Sequence, residues 1–223
     1  MLKFYYSLAP NPMKVALFLE ESGLEYQAMP VDTRKGEQHT PEFLAINPNA
    51  KAPAIADDGK LVFDSNAILM YLGMKTGKFM PAPELMGETL SWMFFISSGI
   101  GPYSGQSVHF SSHAPEKLEY AIKRYSFEAK RHWSILNDRL EGRDWLVGDN
   151  YSIVDMAAWG WERAAGFVLG ADGLDALPNV KRHFAAINAR PAAERANALK
   201  DRHAFKAEMD DEARANMFRH LAA

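Results

Sequence analysis

Short β-type runs of apolar residues alternate with helical repeats in the first part of the chain. Residues 2–6 (LKFYY) predict a strand, and the apolar spacing over 15–19 predicts a helix that ends at Gly23. Residues 26–31 predict a second strand. The chain is therefore predicted to begin as a β-α-β unit, for which a right-handed crossover is expected.

A hairpin and a further helix complete this strand-rich part. A short helical stretch is predicted over 41–46, and the runs 54–56 and 60–63 flank the turn signal at 57–59, which predicts a hairpin. Asp64-Ser65 then precedes an apolar helical repeat and supplies side chains that cap a helix. The first 80 residues are thus predicted to form a βαβαββα domain.

The pattern becomes purely helical beyond Pro81 and Pro83, which mark a linker. Periodicity predicts helices over 90–96, 120–140, 153–169 and 180–189, followed by a charged stretch after 192. Four apolar residues in that stretch fit a terminal helix with one packed face: Phe205, Met209, Met217 and Leu221. The prediction is α/β plus all-α, with a mixed domain over 1–81 and an all-helical domain over 82–223.

The composition excludes several classes of protein. Its 25 basic and 28 acidic residues give a formal net charge of −3, which argues against nucleic acid as a partner. The chain has no cysteine, so disulfides, thiolate metal sites and a cysteine nucleophile of its own are excluded, and thiol chemistry must come with a substrate. Residues 1–9 lack the apolar run of a signal peptide, and no apolar run approaches the ~20 residues that span a bilayer. We expect a cytoplasmic protein that does not act at a membrane.

Three local features point to a site for an anionic, peptide-like ligand. Asp64-Ser65 begins a helix, whose unpaired N–H groups attract a carboxylate, although a plain N-cap explains the pair equally well. Ala52-Pro53 precedes a strand: a cis proline would expose the Ala52 backbone to an extended ligand, whereas a trans proline would simply start an edge strand. The loop over 7–12 brings polar side chains and a helix start to the same edge of the sheet.

Two further patterns favour structure over chemistry. His109 and His113 are four residues apart but lack the acidic pattern of a metalloprotease helix, so no metal site is predicted. Ser152 and Asp155 have the spacing of a capping box, which predicts a folding element at a helix start.

Longer stretches of the chain resemble the cytosolic glutathione transferases. In the first domain they are PNPMKVALFLEE (10–21), GEQHTPEFLAINPNAKAPAI (36–55) and VFDSNAILMYLGMKTGKFMP (62–81). In the helical half they are GIGPYSGQSVHF (99–110), EAKRHWSILNDRL (128–140) and WLVGDNYSIVDMAAW (145–159). The resemblance covers nearly the whole chain and is greatest to the bacterial nu class, whose members reduce disulfides with glutathione. It implies a thioredoxin-like, glutathione-binding domain, a helical domain and a homodimer.

The resemblance assigns the residues that would hold glutathione. It implies that Asp64 faces the ammonium of the γ-glutamyl group, and that the hydroxyl and N–H of Ser65 face its carboxylate. Pro53 would be the family's cis-proline, with the Ala52 backbone paired to the cysteinyl unit. Gln38 corresponds to a side chain that reaches the glycyl end.

Catalysis, by the same resemblance, takes place at the glutathione sulfur. Asn11 matches an asparagine whose amide faces the sulfur, and Arg131 matches a basic residue that lines the cleft. Nu-class members carry a threonine where this chain has Ala9, which removes one hydroxyl from the sulfur's surroundings. Ser7 or Tyr6 could replace that hydroxyl, with core packing as the alternative role for a strand tyrosine.

The activity is left open among several outcomes. The thiolate can attack a disulfide, with a second glutathione resolving the mixed disulfide, or an electrophilic carbon, which gives conjugation. The alanine at position 9 also fits a non-catalytic protein that binds glutathione, and a glutathione-dependent isomerase is a further alternative. A hydrophobic or disulfide co-substrate would lie against the second domain, where Tyr103 and Phe110 are expected to face the cleft or else to pack in the core.

Overall fold

The structure, a computed structural model, describes residues 1–219, so Leu221 of the predicted terminal helix lies outside the described residues. The chain forms two compact units, one made of residues 1–72 and 191–219 and the other of residues 73–190. These units differ from the predicted division at residue 81, because the chain after Arg190 packs on the first unit.

A four-stranded sheet in the order β2-β1-β3-β4 forms the centre of the first unit. Its strands are β1 (Leu2–Tyr6), β2 (Tyr26–Pro30), β3 (Ala54–Asp57) and β4 (Lys60–Phe63). β1 runs parallel to β2 and antiparallel to β3, and β3 and β4 form the predicted hairpin. The mixed sheet is thioredoxin-like, and the predicted βαβαββα order is confirmed.

Eleven α-helices lie within the described residues. They are α1 (Pro10–Ser22), α2 (Pro41–Leu44), α3 (Ser65–Thr76), α4 (Met86–Phe95), α5 (Gly101–Val108), α6 (Glu119–Arg139), α7 (Ile153–Glu162), α8 (Ala165–Leu169), α9 (Pro178–Asn188), α10 (Pro191–Asn197) and α11 (Asp211–Met217). Single π-helical turns at Ile96–Ile100 and His109–His113 flank α5. No helix in this part of the chain has both the length and the apolar character needed to cross a membrane.

Helix α1 is the most buried element of the first unit. Every residue from Pro12 to Leu19 is buried, because α1 packs against both the sheet and α10. Helix α10 contributes three small buried residues to that contact, which lets the two helices approach closely: Ala192, Ala193 and Ala196. A helix that is enclosed on all sides is expected to be apolar all round, and Lys14 is the exception among residues 12–19.

The second unit is built around the long helix α6. Trp133 of α6 is fully buried and its Nε1 donates a hydrogen bond to Ser104 Oγ of α5 at 2.9 Å. The capping box predicted at Ser152 and Asp155 is confirmed at the start of α7. Asp155 Oδ2 accepts from the Ser152 N–H at 2.8 Å, and Asp155 Oδ1 accepts from the Leu146 N–H at 2.8 Å. One carboxylate therefore fixes both the helix start and the preceding loop.

The helical part of the chain differs from the prediction in three details. The Gly- and Ser-rich segment that forms α5 was not predicted as a helix, because its residues have weak helix propensity and the helix depends on packing against α6. The single helix predicted over 153–169 is divided at Arg163-Ala164 into α7 and α8. The predicted terminal helix is confined to α11, and residues 204–210, including Phe205 and Met209, form no helix.

Candidate functional site

Strand register brings the predicted glutathione residues of the first unit to one end of the sheet. Tyr5 pairs with Ala54, and Ala54 pairs with Phe63, so the end of β1, the start of β3 and the end of β4 are neighbours. The residues that immediately follow or precede these strand ends are Ser7, Ala52, Pro53, Asp64 and Ser65. β2 is parallel to β1, so the segment that leads from β2 to Gln38 leaves the sheet at the same end.

The bond between Ala52 and Pro53 is cis, as the resemblance implied. Pro53 is buried and Ala52 is half-buried, immediately before β3. This geometry places the Ala52 backbone at the end of the sheet, beside the residues that follow β1 and β4.

Asn11 is the main source of donors at the start of α1. Pro10 and Pro12 flank it, and proline has no N–H to donate. Of the first three residues of the helix, Asn11 alone therefore offers a backbone N–H as well as a side-chain amide. Ala9 is the N-cap residue and provides no side-chain hydrogen bond. A group bound at this helix end would depend on Asn11 for the donors of the first turn.

Asp64 and Ser65 form a capped helix start. Asp64 adopts a positive φ of 71°, and its Oδ1 accepts from the N–H groups of Asn66 at 2.9 Å and Ala67 at 3.1 Å. Asp64 is thus an N-cap, which is the structural role that the sequence allowed. Its contact with the ammonium of a ligand stays a prediction. The cap does not use the Ser65 N–H, which begins α3.

Lys14 is a charged residue of this region that the sequence analysis missed. It is buried in α1, with its Nζ 3.4 Å from Ser65 Oγ and 3.2 Å from Asn66 Oδ1. Burial lowers the pKa of Lys14 to about 7, and the nearby Asp64 carboxylate opposes that shift. The signal was present in the sequence, since Lys14 interrupts an otherwise apolar run from Pro12 to Leu19.

Gln38 is held by the end of the chain. Its side-chain nitrogen donates to the carbonyl oxygens of Thr33 at 3.2 Å and Asn216 at 3.0 Å. Its Oε1 is buried without a hydrogen-bond partner. The reach of Gln38 to a glycyl group stays a prediction.

Tyr6 and Ser7, the two alternatives for the missing hydroxyl, lie in different environments. The Tyr6 hydroxyl is 2.8 Å from His203 Nδ1 and 3.3 Å from the Leu199 carbonyl oxygen, so it anchors the C-terminal segment. Burial raises the pKa of Tyr6, against the opposing charge of Arg202. Ser7 instead lines a cavity of about 540 Å³ within the first unit. Ser7 therefore remains the predicted hydroxyl near the sulfur.

The cavity beside Ser7 is bounded by the C-terminal segment. Its walls come from the loop after β1, the loop after β2 and the chain after α10, and include Ala9, Arg34, His203 and Phe205. Its volume is in the range of small-molecule sites, ~300–1,000 Å³. Asp64 and Ser65 do not line it, so the cavity adjoins the predicted glutathione residues on the β2 side of the sheet.

The remaining predicted residues belong to the second unit. Arg131 Nε donates to Glu128 Oε2 at 2.9 Å on α6, and about half of the Arg131 side chain is exposed. Tyr103 stacks on His132 with ring centroids 4.7 Å apart. Phe110 stacks on Tyr125 with centroids 5.2 Å apart and an interplanar angle of 4°. Tyr103, Phe110 and Tyr125 are half-buried and form an aromatic surface on the second unit, whereas His132 beneath Tyr103 is buried.

Metal ligands are not clustered in the part of the chain that the structure describes. Among residues 1–219, no group of three or more His, Asp or Glu side chains is placed to hold a metal ion.

The first unit has a thioredoxin-like sheet with a cis-proline and a capped helix start at one end, and the second unit is helical. This architecture is typical of transferases that use a thiol as substrate. The family comparison agrees. The N-terminal domain of glutathione S-transferase matches residues 2–74, and the C-terminal domain of glutathione S-transferase matches residues 92–191. The chain belongs to the glutathione transferase family.

Individual relatives support the same assignment. The chain is 41% identical over 220 residues to the disulfide-bond oxidoreductase YfcG of Escherichia coli, covering 95% of this chain and 98% of that protein. It is 37% identical over 213 residues to the E. coli disulfide-bond oxidoreductase YghU, covering 87% of this chain and 73% of that protein. The resemblance drawn from the sequence motifs is therefore confirmed.

A solved relative shows what this fold binds in another protein. A glutathione transferase from Burkholderia graminis, with two glutathione molecules bound per subunit, superposes with a TM-score of 0.81 at 40% identity. The match covers 91% of this chain and 89% of that one.

Proposed function

We propose that this protein binds glutathione at the end of its thioredoxin-like sheet and activates the thiol for reduction of disulfides. The observation that carries the proposal is the gathering of Ser7, Ala52-Pro53 and Asp64-Ser65 at that one sheet end, with Asn11 in the first turn of the helix that follows β1. The names of the two E. coli relatives and the glutathione bound to the B. graminis relative support it.

The dimensions of the sheet fit an extended tripeptide. The order β2-β1-β3-β4 separates the ends of β4 and β2 by three strand spacings, or ~14 Å. An extended chain of three residues spans ~10 Å, and side chains can bridge the remainder. The γ-glutamyl end would then bind at Asp64 and Ser65, and the glycyl end would point towards Gln38. The cysteinyl unit would lie between them, beside Ala52 and Asn11.

The chemistry follows from stabilising a thiolate. A thiol with a pKa near ~8.5 is mostly protonated at neutral pH, and each unit of depression corresponds to ~1.4 kcal/mol of preferential thiolate stabilisation. The side-chain amide of Asn11 and the start of α1 supply donors and positive potential. The thiolate then attacks one sulfur of a disulfide, the other sulfur leaves as a thiol after protonation, and a second glutathione resolves the mixed disulfide.

Conjugation to electrophiles is a second candidate, because the same thiolate attacks an electrophilic carbon. The aromatic surface of the second unit, with Tyr103 and Phe110, supports a hydrophobic co-substrate, and Arg131 lies on the neighbouring helix α6. A protein that binds glutathione without activating it is the alternative supported by Ala9, which offers no hydroxyl. A glutathione-dependent isomerase is a further alternative.

The deciding experiment begins with binding. Glutathione should raise the melting temperature, since a ligand at 100 times its dissociation constant adds ~2.7 kcal/mol to stability. Reduction of 2-hydroxyethyl disulfide without conjugation of chlorodinitrobenzene would support the reductase. Conjugation alone would favour the transferase, and binding without either reaction would favour the non-catalytic protein. No thermal shift with millimolar glutathione would contradict every version.

We also propose that the protein is a cytoplasmic homodimer. Apolar side chains are exposed on both units, including Phe63 in the first and Phe94 and Phe127 in the second. Exposed apolar and aromatic side chains are enriched in subunit interfaces. Sedimentation at micromolar concentration should show a dimer, and Phe94→Asp should shift it towards monomer if Phe94 lies in the interface.

A further inference from the structure

Lys14 is a buried lysine that contacts Ser65, the residue proposed to bind the ligand's carboxylate. Its side chain is 1% exposed, and both hydrogen-bond partners of its Nζ, Ser65 Oγ and Asn66 Oδ1, are neutral. A methionine of similar length would fill this space without removing a charge from water. Because a buried charge with neutral partners opposes folding, the position calls for a role beyond packing.

The contact with Lys14 bears on whether the Ser65 hydroxyl donates or accepts a hydrogen bond. A serine hydroxyl has one proton to donate and two lone pairs, whereas a lysine ammonium only donates. In its protonated form Lys14 therefore occupies a lone pair of Ser65 Oγ, at 3.4 Å, and directs the hydroxyl proton away from itself. The Ser65 N–H is also outside the Asp64 cap. Ser65 is thus equipped with two donors for an anion.

Charge balance at the helix start gives Lys14 a second effect. Asp64 places a negative charge beside Ser65, and that charge alone would repel a carboxylate. The ammonium of Lys14 lies on the buried side of the same residue, where the low dielectric strengthens its field. An ammonium and a carboxylate on one ligand carbon can then be accepted together, the former by Asp64 and the latter by Ser65.

We propose that Lys14 is a positioning residue for the α-carboxylate of the γ-glutamyl group, acting through Ser65. The inference rests on the proposed glutathione site. Lys14 does not touch the ligand: it holds the Ser65 hydroxyl as a donor and supplies the positive charge that offsets Asp64.

Calorimetric titration with two ligands tests this role. One ligand is glutathione, and the other is the analogue whose γ-glutamyl α-carboxylate is replaced by a carboxamide. Lys14→Met should weaken glutathione binding about tenfold, the size of one charge-assisted hydrogen bond, and change binding of the carboxamide by less than about twofold. Lys14→Gln, which keeps a donor without the charge, is the second variant should the methionine fail to fold, and it should show the same selectivity.

A double-mutant cycle with Ser65→Ala identifies the route of the effect. If Lys14 acts through Ser65, the pair Lys14→Met and Ser65→Ala should lose less glutathione affinity than the sum of the two single losses, and the part that remains additive is the effect of the charge that offsets Asp64. Fully additive losses would overturn the proposal, and so would equal losses for glutathione and the carboxamide or no loss in Lys14→Met. If the unaltered protein does not bind glutathione at all, the proposed function fails, which is distinct from a failure confined to the variants.

Discussion

The side-chain nitrogen of Gln38 donates a hydrogen bond to the carbonyl oxygen of Asn216, 178 residues further along the chain, at 3.0 Å. Two further contacts join Asn216 to the segment around Gln38. Asn216 Nδ2 donates to the Arg34 carbonyl oxygen at 3.0 Å, and His39 Nε2 lies 3.1 Å from the Asn216 carbonyl oxygen. The loop that carries a proposed glutathione residue is therefore attached to α11.

Gly36→Ala should detach α11 from this loop. Gly36 has a φ of +79°, and a Cβ there would lie 2.9 Å from Asn216 Oδ1. Gly23→Ala is the matched control, because Gly23 also has a positive φ, +69°, but a Cβ there meets nothing within 4 Å. Both variants should lose the ~1–2 kcal/mol of a left-handed alanine.

Only Gly36→Ala should also speed amide hydrogen exchange over 211–217. Equal exchange of that segment in the Gly36→Ala and Gly23→Ala variants would show that the contact with Gly36 does not hold α11.

The elements around the site were predictable where a local signal exists. The strands and the cap at Asp64 follow from short-range rules of alternation, turn chemistry and capping, and the structure has each within a few residues of its predicted position. The attachment of α11 was not predictable, because a hydrogen bond between residues 38 and 216 leaves no periodic pattern in either segment.

Lys14 was missed for a different reason. Lysine is almost never fully buried, so a lone lysine in an apolar helix is expected to reach solvent. Packing of α1 against both the sheet and α10 removes that route. Enclosure of a helix on two sides cannot be recognised from the helix sequence alone. Here it buries a lysine that an amphipathic surface helix would expose to solvent.

Asn11→Ala should raise the pKa of the bound glutathione thiol. Expressed as free energy, this loss of thiolate stabilisation should exceed the loss of glutathione binding. The amide contributes a donor to the sulfur, whereas affinity comes mainly from the two ends of the tripeptide. We expect a rise of about one unit, or ~1.4 kcal/mol, measured from the ultraviolet absorbance of the thiolate against pH. Asn11→Asp, the same shape with a negative charge, should raise the thiol pKa further. Parallel losses of affinity and thiolate would contradict the role given to Asn11.

Ala9→Thr should both stabilise the fold and favour the thiolate. Ala9 is the N-cap of α1 with extended φ and ψ of −66° and 161° and provides no side-chain cap. A threonine hydroxyl there can accept from the Asn11 N–H, the one backbone donor among the first three residues of the helix, and donate to a nearby sulfur, with ~0.5–1 kcal/mol expected from capping. Ala9→Val has the same shape without the hydroxyl and is the control. If the two variants match in melting temperature and in thiol pKa, the hydroxyl has neither effect.

Gly99→Ala should destabilise the second unit through its contact with α6. A Cβ at Gly99 would lie 2.4 Å from His132 Cδ2, and His132 is fixed between the rings of Phe95 and Tyr103. Overpacking of this kind costs ~1–3 kcal/mol. Gly105→Ala, where the nearest atom is 3.8 Å away, should be neutral or slightly stabilising, because alanine favours a helix. Urea unfolding of both variants measures the difference, and equal stabilities would show that His132 moves aside freely.

Loss of His183 should destabilise the protein most strongly at mildly acidic pH. His183 is buried, with Nδ1 2.8 Å from Glu162 Oε1 and Nε2 3.1 Å from Asp155 Oδ1. Burial alone lowers the pKa of His183, but the two carboxylates outweigh it and raise the pKa to about 10. Since the folded pKa lies above the unfolded value of ~6.5, the stabilisation is complete below that pH and is lost as the pH rises towards 10.

His183→Gln tests this dependence on pH. It leaves two carboxylates facing each other in the core, so a loss of ~3–5 kcal/mol is expected near pH 6, in the range for a broken buried pair. The difference in unfolding free energy between the variant and the unaltered protein should become smaller by pH 9.5. Burial raises the pKa of Glu162, so protonation of that carboxyl in the variant would also limit the loss at low pH. Lys181→Gln, which breaks the exposed pair with Asp175, is the control and should change nothing measurable. A gap in unfolding free energy that stays constant between pH 6 and 9.5 would mean that His183 is neutral in the folded protein and acts only as a hydrogen-bonding bridge.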